Sequence, residues 1–109
     1  MANPYAGEVT LTVNGERHTM KLTLGALAEL EADLGAESLI AVVDRFEAGR
    51  YRVRDVMLLL NAGLRGGGWS GQLEDLAHAE IEGGPVHAAR SAAMLLARAF
   101  AVPQGAGTP

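Results

Sequence analysis

The sequence predicts an α+β fold in which an N-terminal β-hairpin packs on four to five short α-helices. Three observations predict this fold. Apolar and polar side chains alternate over residues 8–23, on both sides of an Asn-Gly pair, which is typical of a two-stranded hairpin. From Thr23 onward the apolar period changes from two residues to about 3.6, which indicates helices. Alanine and leucine, with 19 and 15 copies, dominate the composition and favour helix.

Asn14-Gly15 fixes the register of the predicted hairpin, because both residues tolerate the positive φ that a type I′ turn requires. With these two residues as the loop, side chains directly opposite each other share a face. The apolar face is then Val9, Leu11, Val13, Met20 and Leu22, with His18 on the same side. A lone hairpin is marginal in water, so we expect this face to pack on the helices.

Three helices are predicted between the hairpin and a glycine run at residues 66–68. The first ends at Gly35, the second ends at Gly49, and the third runs from about Arg54 to Leu64. Each carries an apolar stripe that we expect to face inward: Leu24, Leu27, Ala28, Leu30 and Leu34 in the first, Leu39, Ile40, Val42, Val43 and Phe46 in the second, and Val56, Met57, Leu59, Leu60 and Leu64 in the third.

Two further helices are predicted on either side of a Gly83-Gly84 break. The fourth begins at Ser70 or Gly71 and extends past Ile81 to that break. The fifth begins at Pro85, a residue that suits the first position of a helix, and runs to about residue 101. Its predicted inward stripe is Val86, Ala89, Ala93, Leu96 and Phe100. We therefore expect a single α+β domain over residues 1–101 and a flexible C-terminal tail over residues 102–109, whose composition offers little apolar surface.

The composition excludes several classes of function. The 109 residues include no cysteine, so thiolate metal sites and cysteine nucleophiles are excluded. Nine basic and thirteen acidic side chains give a net charge of −4, which argues against a nucleic-acid binder. No long apolar run or signal peptide is recognisable, so we expect a cytoplasmic protein without membrane contact.

No pattern in the sequence predicts an enzyme, a cofactor or a metal site. His78, Glu82 and His87 are spaced unlike any established zinc site, so we interpret them as exposed side chains. The glycine-rich run at residues 63–68 follows a predicted helix and has no lysine, so it is a helix stop and a flexible turn rather than a phosphate-binding loop. The class of function that remains is interaction with other proteins, either through the free edges of the hairpin or through apolar helix faces.

Several segments together resemble the gene transfer agent and phage tail protein family of alphaproteobacteria. They are NPYAGEVTLTVNGERHTMKLTLGALAELEADLGAESL at residues 3–39, VVDRFEAGRY at 42–51, RDVMLLLNAGLRGGGW at 54–69 and EIEGGPVHAARSAAMLLARAF at 80–100. The most specific pieces are the hairpin leading into residues 24–31, and residues 62–67. The family is classed with tail assembly chaperones and is also called tail-tube-like.

The resemblance implies a non-enzymatic tail assembly factor, a chaperone for the tape-measure protein during assembly of the tail tube. The alternative is a structural subunit of the tail, such as a tube or connector component; tube subunits usually need extensive β-sheet, and one hairpin is little for that. The implied partners are the tape-measure and tail tube proteins. The sequence leaves open whether the chain forms a homo-oligomer and whether it enters the phage-like particle.

One concentrated basic run, RYRVR at residues 50–54, stands out in an otherwise acidic chain. A solvated connector explains such a run, and docking of an acidic partner is the functional interpretation. Arginine and aromatic side chains are enriched where proteins bind each other. The predicted partner-binding residues are therefore Arg50, Tyr51, Arg52, Arg65 and Trp69.

Overall fold

The computed structural model describes residues 7–100, which fold into a two-stranded antiparallel sheet followed by five helices. This confirms the predicted α+β architecture. The single-domain boundary stays a prediction, and the predicted tail at residues 102–109 lies outside the described residues. The elements are β1 (Val9–Val13), β2 (Glu16–Met20), α1 (Leu24–Leu34), α2 (Leu39–Glu47), α3 (Val53–Gly66), α4 (Leu73–Ala77) and α5 (Gly84–Ala99). None of the described helices is both long and apolar enough to cross a membrane.

The hairpin has the predicted register. Val9 pairs with Met20 and Val13 pairs with Glu16, so Asn14 and Gly15 form the loop. Both loop residues have positive φ, 51° at Asn14 and 81° at Gly15, as a type I′ turn requires. The predicted apolar face is buried, with its five members no more than 8% exposed.

The outer edges of the hairpin are partly occupied by the chain itself. On the β1 side, the Glu82 N–H donates to the Thr12 carbonyl at 3.1 Å. On the β2 side, the Lys21 N–H donates to the Gly63 carbonyl of α3 at 2.9 Å. Strand addition by another chain, which the sequence left open, therefore has fewer free backbone groups to use at these positions.

Helix α3 is the centre of the fold, because it packs against α1, α4, α5 and β2. The end of α3 lies directly against the backbone of β2 and of Lys21, the residue after β2. A Cβ atom at Gly66 would lie 2.0 Å from the Lys21 carbonyl oxygen, and one at Gly67 would lie 1.8 Å from that of Thr19. The glycines that the sequence predicted as a helix stop and flexible turn thus also let a helix and a strand approach more closely than any side chain permits.

The predicted fourth helix is wrong at both ends. Helix α4 begins only at Leu73, since the Asp75 carboxylate accepts the Gln72 backbone N–H at 2.8 Å and caps the helix there. It ends at Ala77, and Ile81 forms an antiparallel bridge with Val13 of β1 instead of a further helical turn. Pairing with the hairpin edge satisfies backbone groups of both segments, which a longer helix would have left unpaired.

The inward stripes of α1 and α2 are confirmed in part. Leu30 and Leu34 of α1 are buried as predicted, but Leu24 is 86% exposed and Ala26 is buried in its place. In α2, Ile40 is 65% exposed. Ala28 of α1, which was also predicted to face inward, is exposed as well. Leu24 and Ile40 lie in the first turn of their helix, where the apolar period cannot show which side will meet the core.

Candidate interaction surface

An ion-pair cluster of Glu37, Arg45, Arg52 and Asp55 ties the segment before α2 to α2 itself and to the start of α3. Arg45 donates from Nε and Nη2 to the two carboxylate oxygens of Asp55, each at 2.8 Å. It also donates from Nη1 to Glu37 Oε1 at 2.9 Å. Arg52 Nη2 bridges the same two acids, at 2.7 Å from Glu37 Oε2 and 3.2 Å from Asp55 Oδ1. The two arginines therefore share the two carboxylates.

Asp55 is the anchor of this cluster, since its side chain is fully buried. Burial by itself raises the pKa of Asp55, but hydrogen bonds from the Arg45 side chain, and from the backbone N–H and side chain of Arg52, outweigh it and lower the pKa to about 2. Hydrogen bonds from Arg52 and Arg45 also lower the pKa of Glu37. Both carboxylates are consequently charged at neutral pH, and the cluster is an ionic one.

The cluster fixes the connector between α2 and α3. The Asp55 carboxylate accepts the Arg52 backbone N–H at 2.9 Å, and the Arg50 N–H donates to the Arg45 carbonyl at 2.8 Å. Between these two anchors, the ring of Tyr51 stacks on that of Phe46, with centroids 4.7 Å apart and planes inclined by 10°. Tyr51 is therefore held in one place although it is 42% exposed.

Two adjoining apolar depressions, together called the α5 groove, lie along one side of α5. One, of about 400 Å³, lies between the first half of α5 and the start of α3. The other, of about 340 Å³, lies between the second half of α5 and α2. Tyr51 lines the first depression and Phe46 the second, so the stacked rings mark their junction. The wall opposite α5 includes Val43, Phe46, Glu47, Tyr51, Val53 and Met57.

Helix α5 is apolar on its exposed side as well as on its buried side. Its core side consists of Ala88, Ser91, Ala92, Leu95 and Leu96. A helix that meets water normally carries polar residues on its outer face. The exposed residues of α5 are Pro85, Val86, His87, Arg90, Ala93, Met94 and Ala97. Five of them, Val86, Arg90, Ala93, Met94 and Ala97, form a stripe that we call the α5 ridge, and Arg90 is its one charged member.

The predicted inward stripe of α5 is therefore wrong for several of its members. Val86 is 66% exposed, Phe100 is 49% exposed and Ala93 is also exposed, whereas Leu96 is buried as predicted. Val86, Ala93 and Phe100 line the α5 groove. The sequence pattern thus identified a real apolar face of α5, but that face meets the groove and solvent more than the core.

The predicted partner-binding residues fall into two groups. Arg50, Tyr51 and Arg52 are exposed neighbours on the connector at the start of α3. Arg65 lies near the end of α3, a helix of 14 residues and about 20 Å in length. Trp69, after the helix, is partly buried against the core.

The two distant residues already have contacts within the chain. Arg65 Nε donates to Glu29 Oε1 at 2.8 Å, and its Nη1 donates to the Gly71 carbonyl at 3.0 Å. One surface cannot easily include all five residues, and their role in binding stays a prediction. The α5 ridge was not singled out, although its small and apolar residues at helical spacing were visible in the sequence.

The histidines considered for metal binding do not form a cluster in the described range. Among residues 7–100, no group of three or more His, Cys, Asp or Glu side chains is placed to hold a metal ion. His87 instead lies with Nε2 3.5 Å from the hydroxyl of Ser91, one turn further along α5.

Comparison with known families places the chain beside phage tail proteins. A family model described as "Phage tail tube protein, GTA-gp10" matches residues 6–102, which is nearly the whole chain. Comparison with curated proteins finds no match, and comparison with solved structures finds none either.

Proposed function

The chain belongs to the phage tail tube protein family GTA-gp10, and from this premise we propose that it is a structural subunit of a phage-like tail. The observation that carries the proposal is the family match over nearly the whole chain. It confirms the resemblance to a gene transfer agent or phage tail family. It favours the structural alternative over the tape-measure chaperone that the sequence put first.

The subunit would contact its neighbours largely through helices. The sheet in residues 7–100 has two strands, and its edges are partly occupied by residues 63 and 82. A continuous sheet between subunits therefore has little edge to build on. The apolar surface along α5 offers an alternative contact, because protein association is driven mainly by burial of such surface. In this proposal the protein is non-enzymatic and uses no cofactor, and it is made in the cytoplasm before it enters the particle.

Quantitative mass spectrometry of purified particles tests the structural role. Particles from cells that carry the gene are separated from free protein by density gradient, and copy numbers are compared with those of the capsid protein. A structural subunit is expected in a fixed ratio with many copies per particle. Absence from particles, while the protein is abundant in the producing cells, would contradict the proposal.

Chaperone activity is a second candidate, which the α5 groove favours. The groove follows most of α5, whose 16 residues make a helix about 24 Å long. It therefore has the length to hold several turns of an apolar helix, such as one from the tape-measure protein. Co-expression separates the two functions: a chaperone keeps the tape-measure protein soluble and is absent from purified particles, whereas a structural subunit is present in them.

A further inference from the structure

We propose that the α5 surface binds a second copy of the chain, with the α5 ridge of each protomer lying in the α5 groove of the other. This inference goes beyond the structural role proposed above and does not depend on it. It begins with the position of the two features. The ridge borders the groove, since Val86, Ala93 and Ala97 also line its mouth.

Adjacent ridge and groove make the surface complementary to itself. A two-fold axis parallel to α5, running between the ridge and the groove, exchanges the two features. Each ridge then enters the groove of the partner, and both apolar surfaces are buried at once. Ala93 and Ala97 of the ridge carry only methyl side chains, so the two protomers can approach closely at these residues.

The charges at the borders of this surface support the same arrangement. Arg90 lies on the ridge and Glu47 lies on the opposite wall of the groove. Neither makes an ion pair within residues 7–100. The two-fold axis brings Arg90 of each protomer to the groove wall that holds Glu47 of the other, so the dimer contains this contact twice. Unlike charges then meet at both borders, which fixes the orientation of the pair.

The positions of the two charges along α5 also agree. Tyr51 lines the groove beside the first half of α5, and Phe46 and Glu47 line it beside the second half. Arg90 lies three residues before Ala93, the first α5 residue that lines this second depression, which is a rise of about 4.5 Å along the helix. A two-fold axis parallel to α5 leaves positions along the helix unchanged, so in the proposed dimer the long side chain of Arg90 extends toward the wall that holds Glu47.

A second copy fits this surface better than an unrelated helix does, because the chain itself supplies the complementary ridge and the complementary charge. The contact is of modest size. A footprint about 24 Å long and two helices wide covers roughly 500 Å² per protomer, below the roughly 800 Å² that a standard stable interface buries on each partner. We therefore expect a reversible dimer with a dissociation constant in the micromolar range.

Sedimentation velocity of the full chain, from about 1 μM to about 1 mM, tests the dimer. The mass is expected to rise with concentration from 11.4 kDa toward twice that value. Ala93→Arg places a charge at the centre of the contact and is expected to raise the dissociation constant at least about tenfold. Ala32→Arg, at an exposed alanine of α1, is the matched control and leaves the constant unchanged. Circular dichroism verifies that both variants are folded.

Two outcomes of that experiment overturn the proposal. A wild-type chain that stays monomeric up to about 1 mM excludes the second copy, even if the same surface captures a different tail protein. A dimer that Ala93→Arg leaves intact forms through another surface.

A charge exchange tests the two-fold arrangement itself. Glu47→Arg and Arg90→Glu each place like charges at both borders of a homodimer, so each variant alone is expected to dimerise about tenfold more weakly. Mixed together, the two variants restore an arginine–glutamate pair at each border and form a heterodimer of wild-type affinity. If the mixture dimerises no better than either variant alone, the proposed pairing of ridge and groove is wrong.

Discussion

Replacing Asp55 by asparagine separates the ionic contribution of the ion-pair cluster from its packing. The substitution keeps the size of the side chain and removes its charge. The pKa of Asp55 lies at about 2 in the folded protein, against an ordinary value of 3.8. At about 1.4 kcal/mol per pKa unit, the folded protein favours the charged form by about 2 kcal/mol. We therefore expect Asp55→Asn to lower the free energy of unfolding at pH 7 by about 2 kcal/mol.

The pH dependence has a definite sign. Because folding lowers the pKa of Asp55, the carboxylate stabilises the folded protein at every pH above the unfolded value, and this stabilisation is lost as the pH falls toward the folded value. The window is thus from about pH 4 down to about pH 2. The difference in stability between the wild type and Asp55→Asn should close over this range. Other carboxylates titrate in both proteins, so their effects largely cancel in the difference.

Urea unfolding at a series of pH values measures this difference, with far-UV circular dichroism and the fluorescence of Trp69 as probes. The protein concentration is held fixed, because a self-associating protein gains stability with concentration. Asp44→Asn, at an exposed carboxylate of α2, is the control and is expected to change stability by less than about 0.5 kcal/mol. A stability loss in Asp55→Asn that is the same at pH 7 and pH 2 would refute the ionic interpretation, because packing alone does not titrate.

Four further substitutions test local features, each by urea unfolding. Gly67→Ala should cost about 1–3 kcal/mol, since its Cβ would lie 1.8 Å from the Thr19 carbonyl oxygen. Gly25→Ala in α1 should instead stabilise the protein by about 0.5–1 kcal/mol, because the nearest atom to the added Cβ would be 3.9 Å away. An equal effect of Gly67→Ala and Gly25→Ala would refute the close contact at Gly67. Asn61→Leu should be neutral or stabilise by about 1 kcal/mol, because the buried Asn61 Oδ1 has no hydrogen-bond partner within residues 7–100, and a clear loss would contradict this. Thr23→Ala should cost about 1 kcal/mol, as its hydroxyl caps α1 by accepting the Ala26 N–H at 3.0 Å; no loss would rule out the cap.

Features that depend on neighbouring residues were predictable from the sequence. The register of the hairpin follows from the loop at Asn14 and Gly15, because only that loop places all the apolar side chains on one face. The start of α5 at Gly84-Pro85 follows from the fixed φ of proline. In each case a few adjacent residues decide the backbone conformation, and the rest of the fold agrees with them.

Features that depend on distant residues were not predictable. Ile81 continues the helical period of residues 73–77, yet it pairs with Val13, 68 positions earlier in the chain. The contact that ends α4 is visible only once the hairpin has been placed beside it. The buried Asp55 is a similar case, because the sequence shows a carboxylate among arginines but not that Arg45 and Glu37 converge on the same point.

Helix α5 shows why the candidate surface was missed although its residues were recognised. An inward stripe is identified by apolar residues at a period of about 3.6, and this rule gives one answer only when the opposite face is polar. In α5 the alternatives are both apolar: the stripe through Val86 and Ala93, and the one through Ala88 and Leu95 that meets the core. Burial inside one chain can use only one of them. A helix for which the sequence supports two inward faces therefore carries more apolar surface than its own fold covers. In this chain the second face borders the α5 groove, where we place the partner copy.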